Sequence, residues 1–292
     1  MREVYGAIAQ IRHGNACNFE VCVDSWPAFK TVVCRRQRKA IQDPHNPFSN
    51  LYTLFTKDVA SLRTMLKDKT VINWKQPCHF LVFPSSLLDV IQGEKQKIDH
   101  MLDPTCILIH HDPQSLPDVR TDLAQRISSL RVTHAEIVNQ SVKYGGSEHS
   151  LDYIKTCIQN LPSCCILDDN GNPISWALLD ESCAIRMGFT LPEYRRVGYT
   201  KVVLATLARK VHMMGFPVYV SVEENNTVSL HAYETRNVGI DTVSTLSDWY
   251  RLSYSAFLES CKNRPFICLY STKVTPTGLL RNVVIIYINI YL

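Results

Sequence analysis

The run Arg195-Arg196-Val197-Gly198-Tyr199-Thr200 sets two cationic side chains beside a glycine, immediately before a helical pattern. A helix N-terminus carries unpaired N–H groups and partial positive charge, so an anion can rest against it. Gly198 permits close approach and an unusual φ, while Arg195 and Arg196 add charge-assisted donors. That chemistry suits a diphosphate. A solvated basic loop opening an ordinary amphipathic helix is the competing reading, and the loop by itself leaves both open.

Such a loop needs a strand before it and a helix after it. Cys183 to Thr190 is a largely apolar run of strand length, and Leu191-Pro192-Glu193 interrupts it because proline fixes φ and lacks an N–H donor. From Tyr199 the period changes: Val203, Leu207, Val211 and Met214 recur at helical spacing, and Gly215 with Pro217 ends the run. The spacing predicts a helix from near Gly198 to near Gly215, then a strand over Val218–Val222 and a helix near Asn226–Glu234. Upstream, Leu151, Ile154, Ile158 and Leu161 mark a helix ending before Pro162. Cys164–Leu167 and Ile174–Leu179 then read as a hairpin about a turn containing Asn170-Gly171.

Arg195, Gly198 and Thr200 fall on the marked positions of Arg/Gln-x-x-Gly-x-Gly/Ala, the acyl-CoA pyrophosphate loop of GNAT-type acyltransferases, with Thr200 departing from the small residue usual there. LPEYRRVGY, GFPVYVSVEEN, SLDYIKTCIQNLPSCCILDDNGNPISW, EVCVDSWPAFK and VINWKQ together resemble the glycine N-acyltransferase family and its glycine N-acyltransferase-like members, from Val4 to about Ile240. The resemblance implies an α/β fold of two GNAT-like halves, with mixed, mostly antiparallel central sheets flanked by helices. Its division here is an N-terminal α/β domain over 1–125, a GNAT-type acyl-CoA-binding catalytic domain over 126–245, and a divergent C-terminal tail over 246–292. It also implies acyl-CoA as co-substrate with no permanently bound cofactor, and transfer of the acyl group by direct attack of the amine of glycine or another small amino acid. In that superfamily the strands on either side of the loop and helix splay apart, and the acyl-CoA arm lies in the gap. The residues implied to hold it are Ile185, Met187 and Phe189 through the first strand, Arg195, Arg196, Val197, Gly198, Tyr199 and Thr200 at the pyrophosphate, and Asn226 at the pantetheine.

The amine must lose a proton and the leaving thiolate must gain one, so a base and an acid should flank the gap. The family carries a glutamate on the first strand, in a segment read as Glu-Met-Arg-Met; the aligned residues here are Ala184-Ile185-Arg186-Met187. Ala184 cannot accept a proton. On an ideal strand Asp180, Ser182 and Arg186 share its face, Glu181 faces away unless a bulge intervenes, and Asp180 lies about 13 Å off, too far to stand in. Glu223, Glu224 and His231 remain as bases across the gap, with Glu223 the candidate carried forward, or a water mediates. Tyr233 is placed to return the proton to the thiolate, against the alternative of a tyrosine packed on the core. An acyl-CoA-binding pseudoenzyme that lost turnover with the glutamate is the second reading, and protein N-acetylation a third. Cys183 lacks an activating neighbour and reads as a buried structural thiol rather than a nucleophile.

At 292 residues the chain exceeds one typical domain, and 46% hydrophobic with 20% charged residues describes a folded protein with ample core. A formal charge of +4 is too mild to imply nucleic acid but favours an anionic co-substrate. The eleven cysteines contain no Cys-x-x-Cys pair and are scattered through apolar segments, which predicts free buried thiols in a reducing compartment and no metal site. His110-His111-Asp112 reads as a surface turn rather than a metal fragment. Neither a secretory signal nor a membrane span is seen, and a monomer without a membrane partner is expected. The family suggests a mitochondrial location, with cytoplasmic as the alternative; no presequence is visible.

The first half reads as strands over Val4–Ile11, Phe19–Asp24, Phe29–Cys34 and Leu51–Phe55, a helix over Asp58–Leu66, then strand, helix and strand at Cys78–Phe83, Leu87–Ile91 and Thr105–Ile109. A linker is expected over Asp112–Arg126. Relatives carry a further helical segment ahead of Val4, and the chain is expected to begin after it. The tail beyond Ile240 fits the family least, and its apolar end RNVVIIYINIYL is too short to span a bilayer. Trp26 and Trp176 are expected to be core aromatics.

Overall fold

The computed structural model describes residues 2–93 except 44, 77, 82 and 84, together with 105–110, 121–223, 226, 227, 229, 240–242, 267–274 and 280–287. The chain divides into two compact units, one of residues 1–102 with 247–292 and the other of residues 103–246.

The first unit opens with helix α1 (Arg2–Arg12), where alternation had suggested a strand. Val4, Ala7, Ile8 and Ile11 are all buried, and their i, i+3, i+4, i+7 spacing is the helical period that the two-residue alternation concealed. Strands β1 (Phe19–Val23), β2 (Thr31–Arg36) and β3 (Leu51–Thr56) follow as antiparallel neighbours. Asp58 then caps helix α2 (Val59–Lys67) by accepting the Ala60 and Ser61 N–H groups. The short strand β4 (His79–Phe80) runs parallel to β3 and leads to helix α3 (Leu88–Gln92). Leu62, Met65 and Leu66 of α2 pack with Val33, Leu54, Ile72 and Ile91 in the core of this unit.

In the second unit the described strands are β5 (Thr105–His110), β6 (Ile127–Ser128), β7 (Ser163–Leu167), β8 (Pro173–Leu179), β9 (Ala184–Thr190), β10 (Tyr219–Glu223) and β11 (Ile240–Thr242). Helices α4 (Ala135–Ser141) and α5 (Glu148–Asn160) precede β7, and α6 (Tyr199–Met213) joins β9 to β10. The sheet order is β11-β5-β10-β9-β8-β7-β6, antiparallel except for the β9–β10 pair. Val203, Leu207 and Val211 of α6 are buried as the spacing predicts, whereas Met214 is 39% exposed because it lies past the last helical turn. Of the expected linker, residues 121–126 form a 3-10 helix that leads into β6; residues 112–120 lie outside the described residues.

Two more strands, β12 (Ile267–Val274) and β13 (Leu280–Tyr287), pair with each other, and β13 pairs with β1, giving the order β12-β13-β1-β2-β3-β4 in the first unit. Both units are therefore α/β, with mixed and mostly antiparallel sheets flanked by helices, as expected. Cys17, Cys22, Cys34, Cys78, Cys157, Cys164, Cys165 and Cys183 are thiols outside any disulfide. Burial pushes Cys22, Cys34 and Cys164 up to about 12 and Cys165 to about 11, so these thiols stay protonated and inert.

Candidate active site

Strand β9 carries the geometry that matters. It runs parallel to β10 only over Ala184↔Tyr219 and Ile185↔Val220, after which Arg186, Phe189 and Thr190 pair with β8 alone. Two strands that pair briefly and then part leave backbone N–H and C=O groups along an open edge, ready to pair with an extended ligand. On its other edge β9 contains a bulge: Trp176 pairs Phe189 and Leu178 pairs Arg186, so three steps along β9 match two along β8. Met187 takes up the extra residue at φ +53°, and Gly188 follows it.

Beyond the open edge the chain turns at Pro192–Tyr194 and reaches the basic loop. Arg196 sits at φ +67° and Gly198 at φ +88°, with Gly198 the N-cap of α6. Apart from two asparagines, every described non-glycine residue with positive φ falls in this stretch: Cys183, Met187 and Arg196. Backbone held in that region costs of order 1–3 kcal/mol per residue and tends to concentrate where a ligand is gripped. Gly198 brings no side chain to its own helix end, and the start of α6 adjoins an exposed loop with no side-chain cap. Arg195 donates through Nε to the Thr190 carbonyl at 3.0 Å and lies 5.3 Å from the Phe189 ring, which holds its guanidinium beside the open edge. Arg196, Val197 and Gly198 are exposed, and Tyr199 is half-buried with the Arg126 guanidinium 6.0 Å from its ring.

Thr200, the departure from the loop pattern, has a structural role. Its hydroxyl and that of Thr190 are 2.7 Å apart, and Thr190 meets Ser175 at the same distance, so three hydroxyls tie α6, β9 and β8 together. Ile185 is buried, while Met187 and Phe189 are partly exposed and Phe189 packs on the fully buried Trp176. Trp26 is half-buried and stacks on Phe29.

The ideal-strand reading of residues 180–184 is corrected. Asp180 N–H donates to the Ala184 carbonyl at 2.9 Å, and Asp180 Oδ1 accepts from Ala184 N at 3.0 Å, so the chain reverses there and the expected separation of about 13 Å collapses. Cys183 at φ +67° makes the reversal possible. The face assignment changes too: Asp180, Glu181 and Ser182 are all buried, whatever alternation would say. Asp180 Oδ1 also accepts from Ser182 N and Oγ, the Asx-turn chemistry that Asp-x-Ser encodes. Its other oxygen lies 3.5 Å from Arg186 Nη1. Tyr153 of α5 donates to Glu181 Oε2, and burial with the nearby Cys157, Glu181 and Asp180 holds the phenol proton well above the usual tyrosine range. Asp180, Arg186 and Tyr153 are thus brought to the head of β9, a grouping that spacing along the sequence does not reveal. Asp-x-Ser between two strands was the usable signal.

Other expected residues are placed less fully. The backbone of Glu223 ends β10, and its side chain lies outside what is described; Tyr233, Glu224 and His231 fall outside the described residues altogether. Asn226 accepts the Ser229 N–H at 3.1 Å, the bond of a helix N-cap. Among the described residues no group of three His, Cys, Asp or Glu side chains could hold a metal ion, and no helix is long and apolar enough to cross a membrane.

The sequence profile of the aralkyl acyl-CoA:amino acid N-acyltransferase family matches residues 2–162, and that of its C-terminal region matches residues 164–251. Human glycine N-acyltransferase is 34% identical over 243 residues, covering 77% of this chain and 82% of the relative. Bovine glycine N-phenylacetyltransferase is 33% identical over 245 residues, covering 77% of this chain and 83% of the relative. An X-ray structure of a Drosophila protein shares the fold at a TM-score of 0.64 and 17% identity, covering 82% of this chain and 84% of that one. With both family regions matched in order and relatives above 30% identity across most of its length, the chain belongs to the aralkyl acyl-CoA:amino acid N-acyltransferase family, a family of transferases.

Proposed function

We propose that this protein transfers an acyl group from acyl-CoA to the amino group of glycine or another small amino acid, by direct attack and without a covalent enzyme intermediate. The observation that carries the reading is the parting of β9 from β10 after Ile185, with the N-terminus of α6 at the far end of the opened edge. A diphosphate against the N–H groups of Arg196 to Thr200 would leave the pantetheine to run back along Ile185, Met187 and Phe189, with Asn226 on the opposite side. The thioester then reaches the closed end of the gap, where backbone donors of β9 polarise its carbonyl. Glu223 is proposed to take the amine proton, directly or through water, and Tyr233 to return one to the thiolate. Residues 126–245 would be the catalytic domain, with 1–125 an N-terminal domain and 246–292 a tail. A monomer working in amino-acid conjugation in the mitochondrion, or alternatively the cytoplasm, completes the proposal.

A release assay for the CoA thiol over a panel of acyl-CoAs and amino acids tests it. Rates should depend on both substrates with intersecting double-reciprocal lines, and mass spectrometry should find no acyl group left on the protein by acyl-CoA alone. A second reading, an acyl-CoA-binding pseudoenzyme, is favoured by Ala184, which is 2% exposed and offers no side-chain base. It predicts CoA binding with no thiol release for any amine.

A further inference from the structure

Arg186 is the one charged residue of β9, and its side chain is 40% exposed although Ala184 and Ile185 before it are buried. The register fixes which way it points. Thr190 bonds Thr200 of α6, so the Ser175–Thr190 pair lies on the α6 face of the sheet, and the Trp176–Phe189 pair on the opposite face. Leu178 follows Trp176 by two and pairs with Arg186, which puts the guanidinium on that opposite face too, one residue past the point where β9 and β10 part. Behind it Asp180 is 2% exposed, with Oδ1 taken by Ser182 N, Ser182 Oγ and Ala184 N. Only Oδ2 meets the arginine, through Nη1 at 3.5 Å. Glu181 and Tyr153 lie within electrostatic reach. An anchored guanidinium contacted through one nitrogen keeps other donors for a second anion, and the planar fork suits a carboxylate.

We propose that Arg186 binds the α-carboxylate of the amino-acid acceptor, and that Asp180 is the positioning residue that aims it. The proposal rests on the acyltransferase reading given above. A thioester at the closed end of the gap lies beside Ile185; an α-amino acid whose amine attacks there carries its carboxylate two bonds farther on, toward the neighbouring Arg186. The site thereby selects acceptors with a free carboxylate and disfavours amines of similar size that lack one. CoA itself is held through the N-terminus of α6 and the backbone of β9, so its affinity does not depend on this side chain.

The full-length chain, Arg186→Lys and Arg186→Met are compared with glycine and glycinamide as acceptors at one acyl-CoA concentration series. The wild type should prefer glycine, and Arg186→Met should raise KM for glycine at least about tenfold. KM for glycinamide should move less than about twofold, calorimetric CoA affinity should stay unchanged, and Arg186→Lys should fall between. A merely structural role would shift both acceptors and CoA together. Equal use of glycine and glycinamide by the wild type, equal losses for both in Arg186→Met, or lost CoA affinity would overturn the assignment while leaving the transfer reaction in place. If the wild type releases no thiol with any amine, the acyltransferase reading fails instead. Arg186 is then judged by calorimetry with N-benzoylglycine: binding that Arg186→Met abolishes upholds the carboxylate site, and absent or unchanged binding rejects it.

Discussion

The Asp180 carboxylate accepts the Ala184 backbone N–H at 3.0 Å, closing the turn through which β8 passes into β9. The first residue of β9 therefore starts beside a buried carboxylate, and the same carboxylate reaches Arg186 with its other oxygen. With three donors on Oδ1 and the guanidinium facing Oδ2, Asp180 serves to hold the head of the strand.

A carboxylate at the first residue of β9 should expose what Ala184 withholds. Ala184→Glu should raise turnover with glycine at neutral pH, since general-base catalysis is worth about 10²–10⁴ in rate. Burial at this position would push the new carboxyl upward, toward the working pH of a base. The gain should fade as pH rises and free amine becomes available unaided. Because Ala184 is 2% exposed, the larger side chain should also cost about 1–3 kcal/mol of stability through overpacking. Rate against pH for the two proteins checks this, and superimposable profiles would show that another group already removes the proton.

Gly198 separates backbone strain from ligand contact. Its φ of +88° disfavours any side chain, yet a Cβ built there meets no heavy atom within 4 Å. Gly198→Ala should therefore cost only about 1–2 kcal/mol of backbone strain. Gly198→Asp adds a negative charge where an anion would sit, and should weaken CoA binding several-fold beyond the alanine variant. Calorimetry on the three proteins checks it, with equal affinity for alanine and aspartate variants as the contrary result.

The helix over Tyr199–Met213 and the β7–β8 hairpin were legible because their signals are local: a 3.6-residue period bounded by glycines, and Asn-Gly between apolar runs. Arg2–Arg12 misled because Val4, Ala7 and Ile11 fit helical spacing while shorter stretches of the same run also alternate. Apart from its Asp-x-Ser turn, the head of β9 was hard to read for another reason. Distance along an ideal strand says nothing about a chain that reverses, and the reversal depends on Cys183 adopting positive φ, which cysteine does not advertise. The bulge at Met187-Gly188 likewise follows from register with β8, a non-local fact.

In the first unit Arg35 Nη2 lies 2.6 Å from Glu20 Oε1, with side chains 6% and 3% exposed, and Nη1 donates to the Val71 carbonyl at 2.9 Å. Arg35→Met would strand a buried carboxylate and a backbone acceptor, and should cost about 3–5 kcal/mol. Pairing it with Glu20→Leu removes the stranded charge and should recover most of that loss. Urea midpoints for the single and double variants check it; a double variant no more stable than Arg35→Met would show that the pair was not the source.

His134 provides a pH signature of folding. It is 7% exposed, and its Nδ1 accepts the Arg131 backbone N–H at 3.2 Å. Burial, with the Arg131 guanidinium adding to it, holds the ring below its ordinary value of 6.5. The unfolded chain therefore binds this proton before the folded one does, so the neutral ring's contribution is complete above pH 6.5 and is lost as pH falls through the lower folded value. His134→Gln keeps a polar side chain but cannot titrate. Its melting temperature should trail the wild type's above pH 6.5, and the gap should narrow as the pH falls. Parallel curves across the range would mean that the imidazole does not titrate on unfolding, whatever the acidic residues contribute to both proteins.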